Sequence, residues 1–338
     1  RIYRVVETSG ELIPPKEMKA WIEETFGDLE SVKKQDFIKI TNLITYEGAI
    51  FNELRMKRPV IADENFAEVI ELINQSSGGA FSDPERKTPE DTFGRVKGKH
   101  CITASNVAKY DGLHGLIISD DHNPLLFSRR RVRDYFQVAK KWFEKAHKTN
   151  NKAIYPLFTW NCLWKSAASI IHGHSQLAIT EGRAYAKVDE LRALSHLYQE
   201  EYRSNYFDDL YYLHDKIGLA HKRNNIKFLV KITPIKEKET MIINHEINDA
   251  LADAVSDTLT TMKEKLGTAS FNLSMIVPPM AETEEVWDHM PIIIRIVDRG
   301  KLTTKTADIG AMELYAQSVI GTNPYLVADK LFKALKSE

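Results

Sequence analysis

The order strand, long amphipathic helix, strand occurs twice in this 338-residue chain, at an offset of about 115 residues. In the first copy, residues 115–119 (GLIIS) read as a short apolar strand, followed by a turn over 120–124. Ser128 then caps a helix running to about Lys148, with Val132, Phe136, Ala139 and Phe143 at helical spacing, and a strand begins near Ala153. In the second copy, residues 228–232 (FLVKI) form the strand and Asn244 the cap. A helix from about 246 to 266 carries Ile247, Leu251, Val255 and Leu259, and a strand follows at 270–277. Such a repeat predicts an α+β chain of two related halves. The expected boundaries are 1–183 for the first half and 184–338 for the second, with a helical linker over 184–224 (Val188, Leu191, Leu194, Leu197, Tyr198). Residues 1–60 read as a lead-in, with a short helix after Pro14-Pro15 and strand-like alternation over 37–51. A helix is expected at 64–74 and an extended loop over 76–98.

Bulk charge narrows the function. Forty-six basic against 47 acidic side chains leave a net charge of −1, whereas a protein that grips a nucleic-acid backbone carries a basic excess. No apolar stretch approaches the roughly 18 to 20 residues of a membrane span. Cys101 and Cys162 are the only cysteines, so no disulfide framework is implied and a reducing, cytoplasmic setting is expected.

The chemistry concentrates in residues 169–180 (SIIHGHSQLAIT), which read as a strand because β-branched and apolar residues dominate. Strand alternation puts His172, His174 and Gln176 on one face, with Gly173 leaving the opposite side open. A neutral imidazole with a pKa near 6.5 is nucleophilic at neutral pH without the activation a serine needs. Gln176 offers an amide donor to a phosphoryl oxygen, and Ser169 and Ser175 offer hydroxyls, which suits nucleotidyl transfer. Two other readings share the pattern: a pair of metal ligands on one face, or structural histidines satisfied by their neighbours.

Asn161, seven residues, then Ser169-Ile170-Ile171-His172-Gly173-His174-Ser175-Gln176 resembles the active-site run of the galactose-1-phosphate uridylyltransferases. These form a branch of the histidine-triad superfamily, whose pattern is Asn, seven residues, then Ser-Asn-Pro-His-Pro-His-Gly-Gln. The resemblance implies two histidine-triad-like halves, each an antiparallel sheet with packed helices. It implies that His174 becomes nucleotidylated and that Gln176, Ser169 and Asn161 hold phosphates. Arg55-Met56-Lys57-Arg58-Pro59 is similar to the family's N-terminal basic element, which places Arg55 and Arg58 near the phosphates. Asn106 falls where the family has a nucleotide-contacting Asn, and the tail from Gly310 resembles its closing helices. A homodimer is likewise implied.

Two departures matter. Family members hold a structural zinc with Cys-x-x-Cys and two histidines; His122 and His172 match the histidines, but Gly79-Ala80-Phe81-Ser82 stands where the cysteines would be. Structural zinc takes four ligands, so no metal and no other cofactor are expected. His122 and His172 are expected to bond instead to neighbouring backbone or side chains. In the second half, His289 falls near the repeat position of His174 with Pro291 in place of Gln176, as in a copy that lost the reaction. His100, His114, His147, His214 and His221 find no partner in the pattern. The expected function is ping-pong nucleotidyl transfer, first UMP transfer between a UDP-sugar and a hexose 1-phosphate. The alternatives are an adenylyl-transferring phosphorylase acting on an ADP-sugar or dinucleoside polyphosphate, a catalytically idle nucleotide binder, and a zinc hydrolase using His172 and His174.

Overall fold

Two sheets organise the chain in the computed structural model, which describes residues 1–57, 65–304 and 309–336. The lead-in contributes β1 (Tyr3–Glu11), α1 (Lys19–Phe26), α2 (Leu29–Lys33), β2 (Lys34–Asn42), β3 (Gly48–Asn52) and α3 (Glu53–Lys57). Helix α4 (Phe66–Gln75) starts at Asn65, whose side chain accepts from Ala67 N. The span expected as loop contains a 3₁₀ turn at Ala80–Ser82 and the short α5 (Pro84–Lys87). The first half is β4 (Cys101–Ser105), β5 (Leu113–Ser119), α6 (Arg129–Thr149), β6 (Ala153–Cys162) and β7 (His174–Glu181). Helices α7 (Ala186–Tyr202) and α8 (Tyr206–Lys216) lead to the second half. It comprises β8 (Ala220–Arg223), β9 (Ile226–Val230), β10 (Thr240–Asn244), α9 (Asp249–Leu266), β11 (Phe271–Ile276) and β12 (Ile292–Asp298). Strand β13 (Gln317–Ile320) and α10 (Pro324–Lys336) close the chain.

Among the described residues the large sheet runs β4-β5-β7-β6-β11-β12-β10-β9-β8, every pair antiparallel. Its order is palindromic about the β6–β11 pair, so β4-β5-α6-β6-β7 and β9-β10-α9-β11-β12 are the two copies. The fold class read from the repeat is correct, but its register needs two corrections. The counterpart of β5 is β10, not residues 228–232, because only β10 lies beside β12 as β5 lies beside β7. Helix α9 is capped by Asn248, whose side chain accepts from Leu251 N; Asn244 ends β10 and donates to Glu246 O. Ser128 caps α6 as expected, accepting from Arg131 N.

Helices α6 and α9 lie against one face of the sheet. There Val132, Phe136, Ala139, Trp142 and Phe143 of α6 meet Phe158, Leu177 and Ile179, and Leu251, Val255 and Leu259 of α9 meet Leu273, Met275 and Ile294. Each large side chain buried in this layer contributes about 1.5–3 kcal/mol. The second half's other face is covered by Tyr198, Tyr206, Phe207 and Leu210 of α7 and α8, packed on Leu229, Met241, Ile243 and Ile293. On the equivalent face of the first half, Phe81 from the 3₁₀ turn packs on Ala104, Leu116 and Ile118. The smaller sheet, β1-β2-β3-β13, has a parallel β3–β13 pair. The tail expected to be helical therefore forms a 3₁₀ turn (Ala311–Tyr315), a strand and one helix. No helix among the described residues is long and apolar enough to cross a membrane.

Candidate active site

Strand β7 begins at His174, so the strand expected over 169–180 is shorter than its composition implied. Leu163 and Ala167 take positive φ values of 65° and 68° around a 3₁₀ turn at Trp164–Ser166, and the chain continues in bends up to Gly173. Hydrogen bonds from Ser119 N to Gly173 O (2.9 Å) and from Gly173 N to His122 O (3.1 Å) then seat it on β5 and the following turn. The side of Gly173 expected to be open is packed: a Cβ there would lie 3.3 Å from Ser119 Cβ and 3.4 Å from Asp121 O and Pro124 Cα.

His172 and His174 still share a face, since both rings meet the edge of Phe81, at centroid distances of 6.1 and 5.2 Å. His174 Nδ1 is 2.8 Å from His172 O. A carbonyl only accepts, so Nδ1 carries the proton and Nε2 keeps its lone pair. Burial pushes the His174 pKa below its ordinary value and His172 repels a charge there, outweighing the hydrogen bond to the His172 carbonyl. The ring is therefore neutral at neutral pH, with Nε2 as the nucleophilic atom.

Gln176 follows on the same face. Its Oε1 is 3.0 Å from His114 Nε2. Tyr110 N donates to His114 Nδ1 (3.4 Å), which leaves the ring proton on Nε2 to donate to Gln176. With its oxygen occupied, Gln176 offers its NH₂. The same His114 nitrogen lies 3.1 Å from Asn106 Nδ2, from which it cannot accept while protonated; Asn106 is held by its Oδ1 accepting from Ala108 N. Tyr110 stacks on His114 with centroids 3.8 Å apart.

Register aligns the rest. Thr159 of β6 is opposite Gln176, and continuing that antiparallel pairing sets Asn161 beside His174. Asn161 in turn pairs with Asn272 of β11. Asn272 Nδ2 donates to Asn161 Oδ1 (2.7 Å) and Ser166 O (2.9 Å), while its Oδ1 accepts from Arg299 Nη1. The row Gln176–Thr159–Ser274 reaches Arg295 of β12. Arg295 is half-buried and bonded to Glu239 (2.6 Å) and Glu47 (2.7 Å). Burial alone would raise the Glu47 carboxyl, but Arg295 and Lys231 outweigh it and hold the pKa at about 2. An ion-pair cluster thus closes this face in the second half.

Other expected residues scatter. Ser175 is buried on the α6 side of β7, beside Ile117, Tyr135 and Trp160, because strand alternation turns it away from His174. Its expected phosphate contact is corrected accordingly. Ser169 is exposed in the bends before His172. Arg55 is exposed on α3, its carbonyl oxygen 4.0 Å from the Cβ position of Gly321, whose N–H bonds to Glu237. Arg58 lies outside the described residues. His289 precedes β12 and bonds to Arg192 O, and the residue at the start of β12 that matches His174 at the start of β7 is Ile292. Histidines left without a role in the sequence have partners: His100 with Asp120, His147 with Ala153 O, His214 with Leu210 O and His221 with Phe332. Sequence reasoning passed over His114, Tyr110, Thr159, Asn272 and Arg299. The alternation of FNLSMI (271–276) carries the signal for Asn272, a polar side chain on the same sheet face as Asn161.

The pair matching the family's zinc ligands is close. His122 Nδ1 and His172 Nδ1 are 3.2 Å apart, and each Nε2 meets a carbonyl, Ile73 O (2.8 Å) and Ser119 O (2.9 Å). Among the described residues, no three His, Cys, Asp or Glu side chains group as metal ligands. Cys101 and Cys162 are buried elsewhere, bonded to Asp134 and to the carbonyls of Pro124 and Ala269. A two-imidazole donor set does not fit a four-ligand structural zinc. A cleft of about 960 Å³ lies between the start of α6 and α9, lined by Ser128, Arg129, Arg131, Asp257 and Thr261 and not by His174 or Gln176.

No family model and no curated protein matches the sequence. Solved structures do. An ADP-glucose phosphorylase from Arabidopsis thaliana with bound ADP-glucose superposes with a TM-score of 0.66 at 14% identity, covering 87% of this chain and 98% of its own. A galt-like protein from the same plant gives 0.61 at 16% identity, over 76% and 92%. A uridylyltransferase gives 0.59 at 16% identity, over 89% and 99%. The chain therefore has the fold of these phosphorylase and uridylyltransferase structures, the fold expected from the resemblance of its His172–Gln176 run.

Proposed function

We propose that this protein is a nucleotidyltransferase that works through a covalent nucleotidyl-His174. The observation that carries the reading is the hydrogen bond from His174 Nδ1 to the His172 carbonyl, which leaves a neutral ring with its Nε2 lone pair available. In the first step Nε2 attacks the α-phosphorus of a nucleotide sugar. The N–P bond forms as the bond to the bridging oxygen breaks, and a sugar phosphate leaves with the electron pair. In the second step an already ionised phosphate oxygen of the acceptor attacks the same phosphorus and returns the pair to Nε2. The NH₂ groups of Gln176 and Asn161 donate to the phosphoryl oxygens as negative charge builds on them. Arg55 and Arg58 add positive charge along the substrate's phosphates, and Asn106 meets its nucleoside. The substrates are a nucleotide sugar and a sugar phosphate, UDP-sugar and hexose 1-phosphate first; the protein acts in the cytoplasm as a homodimer.

Adenylyl transfer is the second reading, kept because the ADP-glucose phosphorylase shares the fold over 87% of the chain. One experiment addresses both. The protein is incubated with unlabelled UDP-glucose, or separately ADP-glucose, plus radiolabelled glucose 1-phosphate and no other acceptor. A ping-pong enzyme moves label into the nucleotide sugar whose base it reads. No exchange with either nucleotide would count against the proposal.

A further inference from the structure

Asn161 is half-buried on the sheet face beside His174, and nothing in its size decides which end of its amide meets a substrate. The oxygen and NH₂ of an asparagine are nearly isosteric, but one accepts and the other donates. A phosphoryl group needs the donor. What decides the matter lies on the second half of the chain.

Asn272 stands between three groups. Arg299, which follows β12 and is anchored there by its N–H on Ser270 O (2.9 Å), donates from Nη1 to Asn272 Oδ1. A guanidinium has no acceptor, so the atom it meets must be the oxygen. On the other side Ser166 O, a carbonyl that only accepts, is 2.9 Å from Asn272 Nδ2. These two contacts allow the Asn272 amide only one way round. Its second N–H then points at Asn161 from 2.7 Å, so Asn161 must answer with Oδ1. Asn161 Nδ2 makes no bond to the described residues and is the end offered to a ligand.

We propose that Asn272 is a positioning residue for nucleotidyl transfer: held by Arg299 and the Ser166 carbonyl, it fixes the Asn161 amide with its NH₂ toward the phosphoryl group. The second half, whose own face is closed by Arg295 and its partners, thereby acts in the first half's site. This inference rests on the proposed nucleotidyl transfer. Reversing Asn161 would set NH₂ against NH₂ at the Asn272 contact and an oxygen against the phosphoryl oxygens.

The test is a double-mutant cycle on the full chain with Asn272→Asp, Asn161→Ala and both together. Asn272→Asp keeps size and keeps an acceptor for Arg299, but offers Asn161 only acceptors, so Asn161 turns its NH₂ inward. Two measurements are taken: the rate of glucose 1-phosphate exchange into the nucleotide sugar that wild type uses, and inorganic pyrophosphate binding by calorimetry. The expected result is a kcat for exchange reduced about 100-fold by Asn272→Asp in the wild-type background. In the Asn161→Ala background the same change should cost less than about twofold, because energies couple only where the contact exists. Equal losses in both backgrounds, or no loss in the first, would overturn the positioning role while leaving nucleotidyl transfer standing. If wild type exchanges neither nucleotide, the proposed reaction fails, and pyrophosphate decides the positioning claim alone. Affinity weakened by Asn272→Asp only when Asn161 is present supports it; affinity unchanged, or absent in wild type, overturns it.

Discussion

His114 Nε2 lies 3.0 Å from Gln176 Oε1, so the side chain that orients the glutamine comes from the neighbouring strand β5 rather than from the motif itself. With the Gln176 oxygen engaged, its NH₂ is left for the phosphoryl oxygens. His114→Phe keeps the ring but removes the donor. The free amide then samples both orientations, and the nucleotide-exchange kcat should fall about 2- to 12-fold, the range of one oriented hydrogen bond. Far-ultraviolet circular dichroism should be unchanged. Steady-state exchange assays check this, and an unchanged kcat would remove His114 from the account.

The Arg295–Glu47–Glu239 cluster joins the lead-in to the second half. Arg295→Met should leave Glu47 and Glu239 buried without their main counter-charge, at a cost of about 3–5 kcal/mol. Urea unfolding at neutral pH measures it. The pKa of Glu47 is depressed to about 2, so the stability it contributes is present above its unfolded value near 4.5. It is lost as pH falls from there toward 2. Arg295→Met should flatten that acid limb, and a variant as acid-sensitive as wild type would contradict the assignment.

Much of this layout was legible in the sequence. Apolar spacing marked α6 and α9, and the two strand–helix–strand blocks gave the halves, because helix periodicity and buried strands leave local signatures. The run 163–173 was not legible: Leu163 and Ala167 adopt positive φ without glycine or asparagine to announce it. The β3–β13 pairing and the Asn161–Asn272 contact join residues far apart in sequence, and no local pattern encodes such registers. His174 and Gln176 share a face of β7, as strand alternation predicts. The same alternation turns Ser175 toward α6, away from the phosphate contact that the composition of the run suggests.

The His174 pKa is lowered, so its neutral form persists as the solution is acidified. The first-step rate should stay flat from pH 8 through the ordinary histidine value of about 6.5 and fall only below it. Single-turnover formation of the adduct against pH measures this limb. A midpoint above 6.5 would show that the ring is not desolvated.

His122 and His172 face each other through their Nδ1 atoms, 3.2 Å apart, and neither cysteine of the chain is beside them. Protein purified without added metal should hold zinc well below one ion per chain by elemental analysis. EDTA should leave its melting temperature and exchange rate unchanged. Stoichiometric zinc, or loss of fold on chelation, would contradict this reading of the His122–His172 pair.

Trapping the intermediate shows whether His174 becomes nucleotidylated. Protein is mixed with α-³²P-labelled UDP-glucose or ADP-glucose, quenched in base, digested and mapped by mass spectrometry. The expected result is a base-stable, acid-labile nucleotidyl group on His174, absent from His174→Ala. A label on another residue, or none from either nucleotide, would contradict it.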